Sequence, residues 1–283
     1  MTDLNRSVIT LSCLDRPGIV HAVSGAIVEA AGNITESQQY SSPDTGRFFL
    51  RVQVEHASAP DRLRAALDPV AQSFDGVLGL DASGRPVRTL ILVSAAPHCL
   101  NALLSRQRQG ALPIEVPLVL SNHEGLADLA AFYGVPFEHH PVFPKTKAWM
   151  EDRIRQVLAD YDIELVVLAR YMQIISPGLC ADLAGRAINI HHSFLPGFKG
   201  ANPYRQAHAR GVKLIGATAH FVTADLDEGP IIAQNVTPAG HSKSVAQLVE
   251  SGRDIESATL AEAVRLFAEH RILLDGVRTV VFS

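Results

Sequence analysis

Ala187-Ile188-Asn189-Ile190-His191 reads as a short strand that ends on two polar side chains. Asn189 and His191 stand two residues apart, so both leave one face of the strand, while Ile190 between them points into a core. A third polar group follows in the turn Ala224-Asp225-Leu226-Asp227-Glu228-Gly229-Pro230. An amide, an imidazole and a carboxylate at neighbouring strand ends can stabilise an oxyanion and shuttle a proton. That is equipment for breaking or moving an acyl group without a metal. His220 is expected to face the same region from the end of the strand before Asp227, although a lone strand-end histidine reads more readily as a packed residue. Taken singly, Asp227 is turn chemistry and Asn189 an ordinary hydrogen bonder. A zinc site made of His191, His192, His220 and Asp227 is disfavoured by spacing, because adjacent histidines on a strand point apart; no metal is expected.

Outward from this stretch the chain alternates strands and helices. Thr89 to Ser94, Glu115 to Ser121, Phe137 to His140 and Leu165 to Ala169 read as buried strands. Helical patterns over Cys99 to Arg108, Gly125 to Tyr133 and Thr146 to Tyr161 lie between them. This is the rhythm of an open, mostly parallel, doubly wound α/β sheet, which binds ligands outside the carboxyl ends of its strands. Val212 to Val222 and Pro230 to Val236 read as longer, antiparallel strands. Ser244 to His270 reads as a helix broken near Gly252, and Val277 to Phe282 as a last edge strand. Pro196, Gly197 and Gly200 predict an irregular loop after His191.

Residues 8 to 81 have a different order: strand, helix, strand, strand, helix, strand, a ferredoxin-like βαββαβ pattern. Asp15 reads as the cap of the first helix, Pro17 as its first residue and Gly32-Asn33 as its stop. Asp81 to Pro86 reads as a linker, so residues 1–83 and 84–283 are expected to form separate domains.

Of the 283 residues 47% are hydrophobic and 19% charged, enough for two packed cores, and the net charge of −4 argues against a nucleic-acid surface. No run of about 18 apolar residues is present to cross a membrane, and Met1 to Ser7 lacks the apolar stretch of a signal peptide. Three cysteines, Cys13, Cys99 and Cys180, are widely spaced and odd in number. They suit a reducing cytoplasm rather than a disulfide frame.

Two resemblances add to this reading. Asp15-Arg16-Pro17-Gly18-Ile19-Val20 followed by Gly32-Asn33-Ile34 resembles an ACT domain, a small module that commonly senses amino acids. It implies an effector such as glycine or methionine near Asp15, Gly18 and Asn33, at the free N–H groups of the first helix. Ile188 to Pro196, Gly216 to Val222 and Leu226 to Ile232 resemble the formyltransferase fold of folate enzymes. Leu168 to Ser176 resembles its folate-pocket strand and turn. The combination is similar to the formyltetrahydrofolate deformylases. The resemblance implies Asn189, His191 and Asp227 as the catalytic set, with the pterin near Met172, Ile174, Ile175, Ala224 and Asp225. It further implies 10-formyltetrahydrofolate as substrate with no permanently bound cofactor, and a homo-oligomer. His192 stands where glycinamide ribonucleotide formyltransferases usually have Pro.

The same fold also carries transferases. A transferase to a phosphorylated amine needs an anion cradle after the first strand of the catalytic domain. Here that turn is Ser94-Ala95-Ala96-Pro97-His98-Cys99, without Gly and with a Pro that removes a donor. Water is therefore the expected acceptor, and the expected products are formate and tetrahydrofolate, with formate supplied to one-carbon and purine metabolism. The alternatives are formyl transfer to an amine such as glycinamide ribonucleotide, and a folate or amino-acid sensor without turnover.

Overall fold

The computed structural model describes residues 4–57, 59–195 and 203–283. The expected loop over Pro196, Gly197 and Gly200 lies outside them. The chain forms two compact units, one running up to Arg85 and taking in Glu269–Ser283, the other Pro86–Ala268.

The first unit begins β1 (Asn5–Leu14), α1 (Ile19–Glu29), β2 (Gly32–Ser42), β3 (Arg47–His56), α2 (Pro60–Ser73) and β4 (Val77–Ala82). Its sheet has the order β2-β3-β1-β4, with β3 antiparallel to β1 and β2, and β4 antiparallel to β1. Alternate residues of the central strands, Ile9, Leu11, Leu50, Val52 and Val54, pack on Ile19, Val23, Ile27, Leu63 and Leu67 of the two helices. This is the expected βαββαβ unit.

The start of α1 differs from expectation. The N-cap is Gly18 with φ 100° and no side-chain cap bond, so Asp15 does not cap the helix and Pro17 lies before it. A left-handed φ at that position suits glycine, which has no Cβ to clash. The helix stops on Ala31 with φ 58° rather than on Gly32. Gly32 is needed for closeness instead: a Cβ there would press on Val54 Cγ1 at 2.7 Å and Ile27 Cγ2 at 2.9 Å.

The second unit runs β5 (Val87–Val93), α3 (His98–Arg108), β6 (Ile114–Ser121), α4 (Ala127–Phe132), β7 (Phe137–His139), α5 (Lys147–Asp160), β8 (Leu165–Ala169), α6 (Pro177–Asp182), β9 (Ala187–His191), α7 (Pro203–Arg210), β10 (Leu214–Phe221), β11 (Ile231–Pro238) and α8 (Val245–Ala268). The sheet order is β11-β10-β9-β8-β5-β6-β7. β5 to β9 pair in parallel, and β10 is antiparallel to both β9 and β11. Leu90, Leu92, Leu118, Leu120, Val166 and Leu168 pack on Met150, Ile154 and Val157 of α5. Their neighbours Ile91, Val93, Val119 and Val167 are buried as well. Strands covered on both faces require such continuous apolar runs. Contrary to the expected break, α8 runs unbroken through Gly252. Glycine in a helix costs about 1 kcal/mol relative to alanine. It is retained here because the ring of Tyr204 lies where a Cβ would be.

The C-terminal residues Ile272–Asp275 (β12) and Arg278–Val281 (β13) form an antiparallel hairpin. Glu269–Ser283 belongs with the first unit, which corrects the expectation that residues 84–283 form one domain with an edge strand at 277–282. The physical reason is polar. Arg51, on the β3 face opposite the helices and 1% exposed, donates to the carbonyls of Glu269 (3.0 Å) and His270 (3.2 Å) and pairs with Glu36 at 3.0 Å. Asp275 accepts from Ser42 Oγ (2.8 Å) and Thr45 Oγ1 (2.7 Å). Arg51→Met removes this clamp. It should cost roughly 2–3 kcal/mol, as for hydrogen bonds to charged groups, and open residues 269–283 to carboxypeptidase. Unchanged protection of the tail would contradict the assignment.

Candidate active site

The sheet order of the second unit reverses direction beside β5: β6 and β7 are added on one side, β8 and β9 on the other. The crevice at such a switch point is where open α/β sheets bind ligands. Met172 N–H, after β8, donates to Ser94 Oγ, after β5, at 2.9 Å. A cavity of about 700 Å³ opens here, and His98, Arg170, Met172, Asn189, His191 and Asp227 are among the residues that line it. The turn from Arg170 to Ser176 is held at both ends. Arg170 has φ 63°, a left-handed value that non-glycine residues hold only where the surroundings enforce it. Buried Glu151 accepts from Ser176 N–H at 2.7 Å and from the Ser176 hydroxyl, which also caps α6.

Asn189, His191 and Asp227 converge. His191 Nδ1 lies 3.2 Å from Asp227 Oδ1, and Asn189 Nδ2 lies 3.2 Å from His220 Nε2. His220 stands directly opposite Asn189 in the β9–β10 register, which produces this contact. His220 Nδ1 donates to the Phe221 carbonyl at 2.8 Å, so a neutral ring keeps its lone pair on Nε2 for the Asn189 amide. His220 Nε2 is 3.7 Å from Asp227 Oδ1, beyond a direct hydrogen bond. His220 is thus buried, as a packed histidine would be, and also part of the constellation.

The hydrogen bond from His191, with His220 behind it, holds the Asp227 carboxyl well below the usual carboxylate range, although burial works the other way. Asp227 has φ 58°. Gly229 lets its turn close, because a Cβ there would collide with the carbonyl of Phe221. His191 Nε2 is buried, has no hydrogen-bond partner among the described residues, and borders the cavity.

Of the expected pterin contacts, Met172, Ile174, Ile175 and Ala224 line the cavity. Asp225 does not: it is exposed, and its carbonyl accepts from Thr223 Oγ1 at 2.9 Å and from Glu228 N–H. Met172, Ile174 and Leu226 are 60%, 64% and 62% exposed, leaving large apolar side chains uncovered at a cavity wall. A flat apolar ligand would cover them. In the first unit, Asp15 is exposed, Gly18 starts α1 and Asn33 pairs with Glu55 on β3. Among the described residues no hydrogen bond joins these three.

A second polar cluster in the same cavity was not anticipated. Glu256 of α8, 1% exposed, accepts from His98 Nε2 at 2.8 Å and Tyr204 Oη at 2.5 Å. Arg170 Nε lies 3.3 Å from it, a charge contact rather than an aligned hydrogen bond. Burial alone would raise the Glu256 carboxyl; the His98 hydrogen bond, Arg170 and Tyr204 more than offset this and lower it. Its signal in the sequence is a carboxylate on the buried stripe Leu248-Gly252-Glu256-Leu260 of α8. His98, Cys99 and Glu256 bring ligand atoms within 4.8 Å of one another. Burial pushes the Cys99 thiol up, however, and Glu256 is already satisfied by protein donors, so the set suits a hydrogen-bond network better than a metal.

His192 joins this cluster. Because β9 ends at His191, the two rings do not point apart as expected but lie 5.0 Å from centroid to centroid. Burial, then the charge of Arg170, lowers His192 to about 4. An unfolded histidine takes up a proton at about pH 6.5. The folded ring refuses it until about 4, so stability falls as pH drops through that window. Asp227, also depressed, contributes stability above the ordinary carboxyl value that is lost only at lower pH. Thermal melting of His192→Asn should fall less steeply from pH 7 to 4 than that of the wild type; equal slopes would contradict the shift.

The chain is similar to known proteins along nearly its whole length. A Formyl transferase family model matches residues 87–264 and an ACT domain model matches residues 7–70. Formyltetrahydrofolate deformylase of Corynebacterium sp. (strain P-1) is 48% identical, covering 99% of this chain and 99% of that one. The crystal structure of formyltetrahydrofolate deformylase from Burkholderia mallei superposes with a TM-score of 0.95 at 48% identity, over 99% of this chain and 100% of that one. Glycinamide ribonucleotide transformylase 1 from Symbiobacterium toebii reaches a TM-score of 0.65 at 34% identity, over 72% of this chain and 98% of that one. With full-length similarity at this level, and a Formyl transferase model matching residues 87–264 after an ACT match over 7–70, the chain belongs to the formyltetrahydrofolate deformylase family.

Proposed function

We propose that the protein hydrolyses 10-formyltetrahydrofolate to formate and tetrahydrofolate, with the pterin seated against Met172, Ile174, Ile175 and Ala224. The observation that carries this reading is the convergence of Asn189, His191 and Asp227 at one cavity wall, with His191 Nε2 buried and unpartnered among the described residues. Water attacks the formyl carbon and gives its proton to His191 Nε2, while Asp227 holds Nδ1–H and compensates the imidazolium that forms. The carbonyl electron pair moves to the formyl oxygen, where the second amide hydrogen of Asn189 donates. The C–N10 bond then breaks, N10 takes the proton from His191, and the formic acid released ionises to formate. We place the proton on His191 rather than directly on Asp227, because a carboxyl held so low is a weak base.

Water is favoured over an amine because the turn after β5 is already committed. The Ser94 hydroxyl serves Asn122 Oδ1 and Met172 N–H, and His98 serves Glu256. A sensor without turnover would have no use for the buried, unpartnered His191 nitrogen.

The ACT unit is the seat of an amino-acid effector, glycine or methionine, and the assembly is a homo-oligomer. The cytoplasm is the site of action, a reading supported by the buried free thiols Cys13, Cys99 and Cys180. Among the described residues no helix is long and apolar enough to cross a membrane. The product formate serves one-carbon and purine metabolism.

Formate should appear from 10-formyltetrahydrofolate without any amine; a strict requirement for glycinamide ribonucleotide would make the protein a transferase. Asp227→Asn should lower kcat by about 10²–10⁴-fold and leave folate binding intact, whereas near-wild-type turnover would remove Asp227 from the mechanism. Calorimetry should detect glycine or methionine binding to the full chain, and the absence of heat with both would leave the ACT unit a structural module.

A further inference from the structure

The wall of the cavity beside His191 holds a chain of contacts that hydrolysis as derived above does not use. Glu256 is gripped through both carboxylate oxygens by Tyr204 and His98, and it faces Arg170 at 3.3 Å. Arg170 Nη1 lies 2.7 Å from His192 Nδ1. A guanidinium has no lone pair, so it can only donate. The Nδ1 of His192 must therefore be the acceptor, and a neutral His192 carries its proton on Nε2. Among the described residues Nε2 has no hydrogen-bond partner, and His192 lines the cavity.

We propose that the Glu256–Arg170 pair is a tautomer lock on His192, which keeps the ring beside His191 neutral with its hydrogen on Nε2 and so leaves His191 as the one of the two rings that takes up the proton. His192 is thus a positioning residue, and the proposal rests on the proton passing through His191. The groups that face it are His191 on its own segment, Arg170 after β8, Tyr204 of α7, Glu256 of α8 and Asp227 after β10. Burial, then Arg170 and His191, oppose a proton on His192, while Glu256 and Asp227 favour one. Without Arg170 the balance shifts toward imidazolium. A charged His192 5.0 Å from His191 would then oppose the proton uptake that hydrolysis requires.

The test combines nitrogen NMR with pH profiles. With the His192 signal assigned by its loss in His192→Asn, ¹⁵N shifts of the wild type at pH 6 should show the Nε2–H tautomer; an Nδ1–H tautomer or an imidazolium would overturn the lock. This readout needs no turnover, so it stands apart from any failure of the deformylase reading. Arg170→Met should lose about tenfold more kcat than the wild type does between pH 8 and pH 6, with a smaller change in KM. Arg170→Met/His192→Asn, whose amide does not titrate, should return to the wild-type profile. An extra acid loss that persists in the double variant, or is absent from Arg170→Met, overturns the proposal; if Arg170→Met does not fold, the wild-type tautomer decides.

Discussion

The contact between His191 Nδ1 and Asp227 Oδ1, 3.2 Å long, is the constraint on which the site depends. It joins the end of β9 to a turn that follows β10, so it exists only if those strands are neighbours in the right register. The antiparallel pairing that sets His220 opposite Asn189 provides this. The turn must then fold back, which needs φ 58° at Asp227 and no side chain at Gly229. A left-handed aspartate is unfavourable locally, and its contact with His191 Nδ1 helps to hold it. Fold and chemistry meet in this turn.

Much of this was legible in the sequence. Buried apolar runs marked β5, β6 and β8, and the two-residue spacing of Asn189 and His191 placed both on one face. The elements that escaped did so for tertiary reasons. Gly252 reads as a helix break, but Tyr204 occupies the space a side chain would need. The C-terminal hairpin reads as an edge strand, but buried Arg51 ties the residues before it to the first unit. Asp15 has the chemistry of a cap, yet the chain turns at Gly18 instead. Local pattern cannot report a partner distant in the sequence.

The candidate site divides in the same way. Asn189, His191 and Asp227, and the apolar residues Met172, Ile174 and Ile175 of the cavity lining, stood out because their residue types announce their chemistry. Asp225 was carried along by its neighbours and lies outside the cavity lining. The Glu256 cluster was missed because its members come from α3, the end of β8, the end of β9, α7 and α8. Among the described residues, the buried side-chain atoms without a hydrogen-bond partner, His98 Nδ1, Arg170 Nε and His191 Nε2, all belong to residues of this one cavity. Buried groups left unpaired are costly, and their concentration here is what a site shaped for a polar reactant requires.

The central claim is that His191, compensated by Asp227, activates water against a bound formyl group. Its most direct test is the mass of the formate released when the reaction runs in H₂¹⁸O. The account predicts one ¹⁸O atom in each formate, with the other oxygen retained from the formyl group. Formate without solvent oxygen, or none until an amine is supplied, would contradict it.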